Sequence, residues 1–215
     1  MDEGALVLIA CYPKSGGSWL VWQLIDILYQ PDFYCDQVSK PILDKLIRKT
    51  ERSISKTPSV HMIRHPLDIA CSAWNYVLLT KRGKPEEQTA FIDKFIENKS
   101  FSKNGVSSEN YDKFMNYGSR APIQLRYEDL LDHTELMLKS IVGDKPVQES
   151  ITKYSVEACR NREHTKDIGR VDDKKYSFFA KADKYYYKTI MNQDQINRGH
   201  KAFQKYIELY WPETI

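Results

Sequence analysis

One change of pattern inside residues 5–30 limits the fold more than anything else in this chain. Residues 5–11 form an apolar run of strand length, rich in residues that favour β structure, and the run gives way at once to Tyr12-Pro13-Lys14-Ser15-Gly16-Gly17-Ser18-Trp19. Past the two glycines the period becomes helical. Leu20, Leu24, Ile27 and Leu28 recur on one face, and Val21 and Ile25 widen it enough to pack between layers. A strand, a glycine turn and a helix in that order aim the first N–H groups of the helix, with their partial positive charge, at whatever lies over the turn. Gly16 and Gly17 let an anion come close to the backbone, and Lys14, Ser15 and Ser18 add a cation and two hydroxyls. The expected guest is a phosphate. The nucleoside-triphosphate loop Gly-x4-Gly-Lys-Ser/Thr is absent, because Lys14 precedes the glycines and no Gly-Lys-Ser or Gly-Lys-Thr occurs in the chain. An ordinary ATPase or GTPase is therefore disfavoured.

The strand, turn and helix pattern repeats. Residues 59–64 read as a second strand, closed by His65-Pro66, with a helix to about residue 80 that has proline at its first position and Asp68 in its first turn. Residues 122–127 read as a third strand, followed by helices over 128–142 and 147–161. Weaker helical patterns cover 41–52, 86–98 and 111–117, and a last helix covers 193–210. Strands alternating with helices predict an α/β fold, a parallel central β-sheet flanked by helices on both faces. At 215 residues the chain is expected to be one domain, 1–215.

The eight residues Tyr12 to Trp19 resemble the Tyr-Pro-Lys-Ser/Thr-Gly-Thr/Asn-Thr-Trp loop of sulfotransferases that use 3′-phosphoadenosine 5′-phosphosulfate (PAPS), of the cytosolic and bacterial type with a P-loop-like fold. The resemblance implies that the backbone and side chains of Lys14, Ser15, Gly16, Gly17 and Ser18 hold the 5′-phosphate, that Lys14 reaches the bridging oxygen and acts in catalysis, and that Trp19 stacks on adenine. Gly17 stands where the family has Thr or Asn. The segment Arg64-His65-Pro66-Leu67-Asp68-Ile69-Ala70-Cys71-Ser72 resembles the family's second motif, in which the Arg and the Ser, here Arg64 and Ser72, grip the 3′-phosphate. Tyr127-Glu128-Asp129 resembles a third, in which the Tyr lies beside adenine; only Tyr127 carries that role over.

Farther along, Phe178-Phe179-Ala180-Lys181-Ala182 is similar to the family's late Arg-Lys-Gly loop, with Lys181 matched and alanines in the other two places, so Phe178, Phe179 and Lys181 are expected at the cofactor. The same basic and aromatic segment also suits a solvated face or a stacking surface for single-stranded nucleic acid. The order of the preceding motifs ranks the cofactor first. The family's Lys-Thr-His, about twenty residues before the strand-terminal Arg, has its nearest counterpart in Lys56-Thr57, with Pro58 in place of His, so Lys56 is a second catalytic candidate and the base is unknown. Strand parity puts His61 on the face opposite Arg64, His65 stands where it would cap the helix, and Glu51 and Asp44 stay open as bases.

The reading is thus a PAPS-dependent sulfotransferase that moves a sulfuryl group to a hydroxyl or amine, releases adenosine 3′,5′-bisphosphate (PAP) and needs no metal. The alternatives are a nucleotide kinase on a related fold and a non-catalytic binder of PAP or PAPS. The short interval between Lys56 and Arg64 implies an open acceptor pocket, suited to a saccharide or lipid headgroup. A net charge of +3 is too small to argue for nucleic acid. Cys11, Cys35, Cys71 and Cys159 show no Cys-x-x-Cys pair, so neither a disulfide framework nor a zinc site is expected. No apolar run reaches membrane-spanning length or has the flanks of a signal peptide, and a cytoplasmic protein is expected.

Overall fold

Four short parallel strands meet side by side in the computed structural model, which describes residues 7–30, 34, 47–102, 108–165 and 183–215. They are β1 (Leu8–Cys11), β2 (Arg48–Thr50), β3 (Val60–Ile63) and β4 (Ile123–Arg126), in the order β2-β1-β3-β4. Ile9 pairs with Lys49 on one side and with Val60 on the other, and Ile63 pairs with Arg126. The helices are α1 (Gly17–Tyr29), α2 (Pro66–Leu79), α3 (Gln88–Asn98), α4 (Tyr111–Gly118), α5 (Tyr127–Asp132), α6 (Thr134–Val142), α7 (Gln148–Lys153), α8 (Val156–Thr165), α9 (Tyr187–Ile190), α10 (Gln193–Ala202) and α11 (Gln204–Tyr210).

Both faces of the sheet are covered, as the unbroken burial of β1 and β3 requires. On one face Ile9, Cys11, Val60, Met62 and Leu125 meet Leu20, Leu24 and Ile25 of α1 together with Leu138 and Tyr154. On the other, Ala10, Tyr12 and Ile63 meet Leu67 and Trp74 of α2, Phe95 of α3, Phe114 of α4 and the aromatic residues Tyr187, Phe203 and Trp211. The alternation of these residues along β1 and β3 follows from the two-residue period of a strand. From β1 the chain passes through α1 to β2 on one side, and β3 lies on the other side of β1. The strand order therefore reverses between β1 and β3, and the crevice beyond their carboxyl ends is where such sheets bind ligands.

Three expectations differ from the structure in detail. The helical pattern over 41–52 is interrupted by β2: Arg48–Thr50 pairs with β1, and Ile47 is wholly buried. A three-residue strand is defined by its partner and not by its own periodicity. The helices expected at 128–142, 147–161 and 193–210 are each two helices, broken at His133, at Tyr154-Ser155 and at Phe203. Tyr154 and Phe203 leave helical geometry with their side chains fully buried, so packing overrides local propensity. Residues 86–98 begin as a 3₁₀ turn at Pro85–Glu87 before α3. No described helix is long and apolar enough to cross a membrane.

Candidate active site at the carboxyl edge of the sheet

The loop between β1 and α1 is fixed from behind by Tyr12. Its ring is buried against Tyr111 and Phe114, and its hydroxyl donates to the Glu109 carbonyl at 2.9 Å and pairs with Ser108 Oγ at 2.6 Å. Beyond it the chain turns through Lys14 at φ 73° and Gly16 at φ 83°, left-handed geometry that is costly for a lysine. A Cβ at Gly16 would lie 2.6 Å from the Tyr127 ring, and one at Gly17 would lie 2.2 Å from Cys11 Sγ. The absence of a side chain at Gly17, where the resembled loop has Thr or Asn, thus has a local cause: the Cys11 thiol fills that space. Gly16 is the N-cap of α1 and, as a glycine, offers no side chain to cap the first turn.

Ser15 is 1% exposed, with its N–H bonded to the Tyr12 carbonyl at 3.0 Å, while its Oγ has no partner among the described residues. Ser18 Oγ accepts from Lys49 Nζ at 3.0 Å. Trp19 is buried, with its indole N–H donating to the Tyr154 carbonyl at 2.6 Å; the break between α7 and α8 leaves that carbonyl available. The Trp19 and Tyr127 rings stand 6.2 Å apart in an edge-on arrangement and form one aromatic wall.

Arg64, first residue beyond β3, reaches into the same loop. Its guanidinium lies 4.3 Å from the Tyr127 ring centroid and donates to the Lys14 carbonyl at 3.2 Å. It is 6% exposed, and its Nε has no partner among the described residues. Ser72 is half-buried on α2, on the stripe it shares at i, i+4 spacing with Asp68 and Tyr76. Lys14 Nζ sits 4.5 Å from the Tyr76 ring centroid, which places that stripe toward the loop. Asp68 is buried and accepts the backbone N–H groups of Tyr185 and Tyr187, each at 2.8 Å. Burial lifts its carboxyl to about 6, against the opposing pull of Arg64 and the Tyr187 N–H.

Charge is concentrated here. Burial, together with the positive charges of Arg64 and Lys49, pulls the Lys14 ammonium down to about 7, while Glu51 acts in the other direction. Three cations thus crowd one loop, an arrangement that favours an anion. Two buried polar atoms without partners among the described residues, Ser15 Oγ and Arg64 Nε, and a glycine turn with no room for a Cβ are what a phosphate-bearing ligand would use.

Other residues singled out from the sequence lie elsewhere. Lys56 is exposed in the crossover between β2 and β3, and its carbonyl accepts from the Tyr117 hydroxyl at 3.1 Å. The lysine that reaches the loop is Lys49, on β2. It belongs to an earlier Lys-Thr pair, Lys49-Thr50, which stands fifteen residues before Arg64 and is followed by Glu51. That pair is the signal that could have found it. His61 is wholly buried beside Phe114 and bonded to Gln124 at 2.9 Å, and burial lowers its pKa to about 4. His65 holds the N-cap position of α2, but its side chain makes no cap; the ring stacks on Tyr187 at 4.6 Å and meets Trp211 edge-on. Its backbone N–H goes to Glu128 Oε1, whose other oxygen accepts from the Trp211 indole. Asp129 pairs with Arg126 at 3.1 Å. Asp44, Phe178, Phe179 and Lys181 lie outside the described residues.

The chain matches no family model and no curated protein by sequence. Its fold does match solved structures. Retinol dehydratase in complex with androsterone and inactive cofactor PAP superposes with a TM-score of 0.71 at 16% identity, over 94% of this chain and 80% of that one. Retinol dehydratase with retinol and PAP gives 0.66 at 17%, with the same coverage. Mouse sulfotransferase SULT7A1 complexed with PAP gives 0.67 at 14%, over 96% of this chain and 87% of that one. The α/β sheet described above is therefore the sulfotransferase fold.

Proposed function

We propose that this chain is a PAPS-dependent sulfotransferase, acting as one catalytic unit and transferring a sulfuryl group to a hydroxyl or amine. The observation that carries the reading is the convergence of the loop, Arg64 and Tyr127: the guanidinium bridges the Lys14 carbonyl and the Tyr127 ring while its Nε and the neighbouring Ser15 Oγ keep hydrogen-bonding capacity in reserve. The PAP-bound structures that share the fold support it.

PAPS would supply the sulfuryl group. Lys14, Ser15, Ser18 and the backbone at Gly16 and Gly17 would hold its 5′-phosphate, and Arg64 with Ser72 its 3′-phosphate, for which a planar guanidinium offers paired donors. Tyr127 and Trp19 would flank the adenine, joined by Phe178, Phe179 and Lys181. Lys14, with Lys49 behind Ser18, sets positive charge where negative charge grows on the leaving oxygen, and such preorganised charge is the main service a protein renders in transfers of this kind.

The acceptor is expected to be extended or bulky, a saccharide or a lipid headgroup. The crossover after β2 is pulled down onto α4 and the residues flanking it by bonds from Ser53 to Glu109, from Arg120 to the Ile54 carbonyl and from Tyr117 to the Lys56 carbonyl, which favours an open crevice. A cytoplasmic setting fits Cys71, a buried cysteine outside any disulfide. Sulfur-labelled PAPS offered with small phenols, oligosaccharides and glycolipids tests both parts. Transfer to saccharide or lipid acceptors is expected. Transfer to none, by protein that binds PAP, would refute a transferase; efficient transfer to a small phenol alone would refute the open site.

A further inference from the structure

We infer that Glu51 is the general base that takes the acceptor's proton, an inference that rests on the sulfotransferase reading above. Three placements lead to it. Glu51 is the first residue beyond β2, so it stands at the same carboxyl edge as the loop after β1 and Arg64 after β3. Lys49 ties it to the loop, since one ammonium reaches both Ser18 Oγ at 3.0 Å and Glu51 Oε1 at 2.9 Å. The Glu51 side chain is 39% exposed, so it meets solvent and can pass a proton on.

The competing groups at this edge are already engaged. Asp68 is buried with two backbone N–H groups on its oxygens. Glu128 is buried between the His65 N–H and the Trp211 indole. Glu109 accepts from Ser53 and pairs with Lys113 at 3.3 Å. His61 and His65 are both 0% exposed, and their rings are enclosed by Phe114 and Gln124 or by Tyr187 and Trp211. Glu51 spends Oε1 on Lys49, and Oε2 has no partner among the described residues. A carboxylate held in place by one lysine through a single oxygen, and open to solvent at the carboxyl edge of the sheet, keeps acceptor capacity for a proton.

In the step so assigned, the acceptor O–H proton passes to Glu51 Oε2 as the acceptor oxygen bonds to sulfur. The bond from sulfur to the 5′-phosphate oxygen breaks, and that oxygen keeps the electron pair, facing Lys14. Glu51 then returns the proton to water.

The test compares wild type with Glu51→Gln in three readouts. Calorimetric titration with PAP should give affinities within about threefold of each other, because Glu51 holds no phosphate. Transfer from PAPS to an unactivated alcohol, methyl glycosides and long-chain alcohols being the probes, should fall by roughly a hundredfold to ten-thousandfold, the usual worth of a general base. Transfer to 4-nitrophenol, assayed at pH 8 where most of it is ionised, should fall less than about tenfold. Unchanged alcohol transfer, equal losses for both acceptor types, or a loss of PAP affinity above about tenfold would overturn the assignment. Wild-type protein that fails to bind PAP would instead overturn the nucleotide reading on which it rests.

Discussion

Lys14 should make the proposed PAP binding proton-linked, and the size of the effect follows from its surroundings. Burial and the charges of Arg64 and Lys49 hold its ammonium near 7 in the free protein. A phosphate at about 4 Å contributes roughly 4 kcal/mol at an effective dielectric of about 20, which would raise the bound-state value by about three units, to about 10. Between pH 7.5 and 9 the phosphates of PAP are already fully ionised, since their second pKa is about 6. Over that interval the protonated fraction of free Lys14 falls from about one quarter to about one hundredth, so PAP affinity should fall roughly 25-fold, close to 2 kcal/mol. The sign is fixed by linkage: the complex holds a proton that the free protein lacks, so binding takes up protons and weakens as pH rises. Calorimetry in buffers of different ionisation enthalpy should count about 0.9 proton taken up per PAP at pH 8. Lys14→Met should bind more weakly at pH 7.5 and lose the slope. An affinity independent of pH in wild type, or the same slope in Lys14→Met, would refute the reasoning.

Three other expectations follow from the same geometry. Arg64→Ala should weaken PAP by about 1.5–3 kcal/mol, the range for a charged hydrogen bond, with little change for AMP, and titrations showing equal losses for both would make Arg64 structural. Lys14→Ala should lower the kcat of sulfuryl transfer at saturating PAPS by at least about a hundredfold; unchanged kcat with weakened binding would contradict its place at the leaving oxygen. Gly17→Ala should destabilise the fold by about 1–3 kcal/mol in urea denaturation, because its Cβ would fall 2.2 Å from Cys11 Sγ, and Cys11→Ala in the same chain should recover part of the loss.

Much of this edge was legible in the sequence because backbone chemistry marks it. Pro13, Gly16 and Gly17 punctuate the end of an apolar strand, and His65-Pro66 does the same after β3, so the loop, Arg64 and the start of α2 could be placed by spacing alone. Lys49 and Glu51 were harder to place, although the Lys49-Thr50 pair before Glu51 was there to be read. They lie on and just beyond a three-residue edge strand whose existence depends on pairing with β1, and Arg48, Lys49 and Thr50 carry no period of their own. The later Lys56-Thr57 drew attention to a lysine that is exposed in the crossover between β2 and β3. The helix breaks at Tyr154 and Phe203 were hidden for a related reason: each answers to a buried ring and a tertiary contact. His65 read as a cap because of its position, whereas its ring belongs to an aromatic stack formed with Tyr187 and Trp211, far along the chain.

The proposed site would read a 3′-phosphate beside a 5′-phosphate. Titrating the wild-type protein with PAP, ADP and ATP in metal-free buffer at pH 7 tests that directly. PAP should bind at least about tenfold more tightly than either of the others, because only it presents a 3′-phosphate to Arg64 and Ser72. ADP or ATP binding as tightly as PAP would contradict the account.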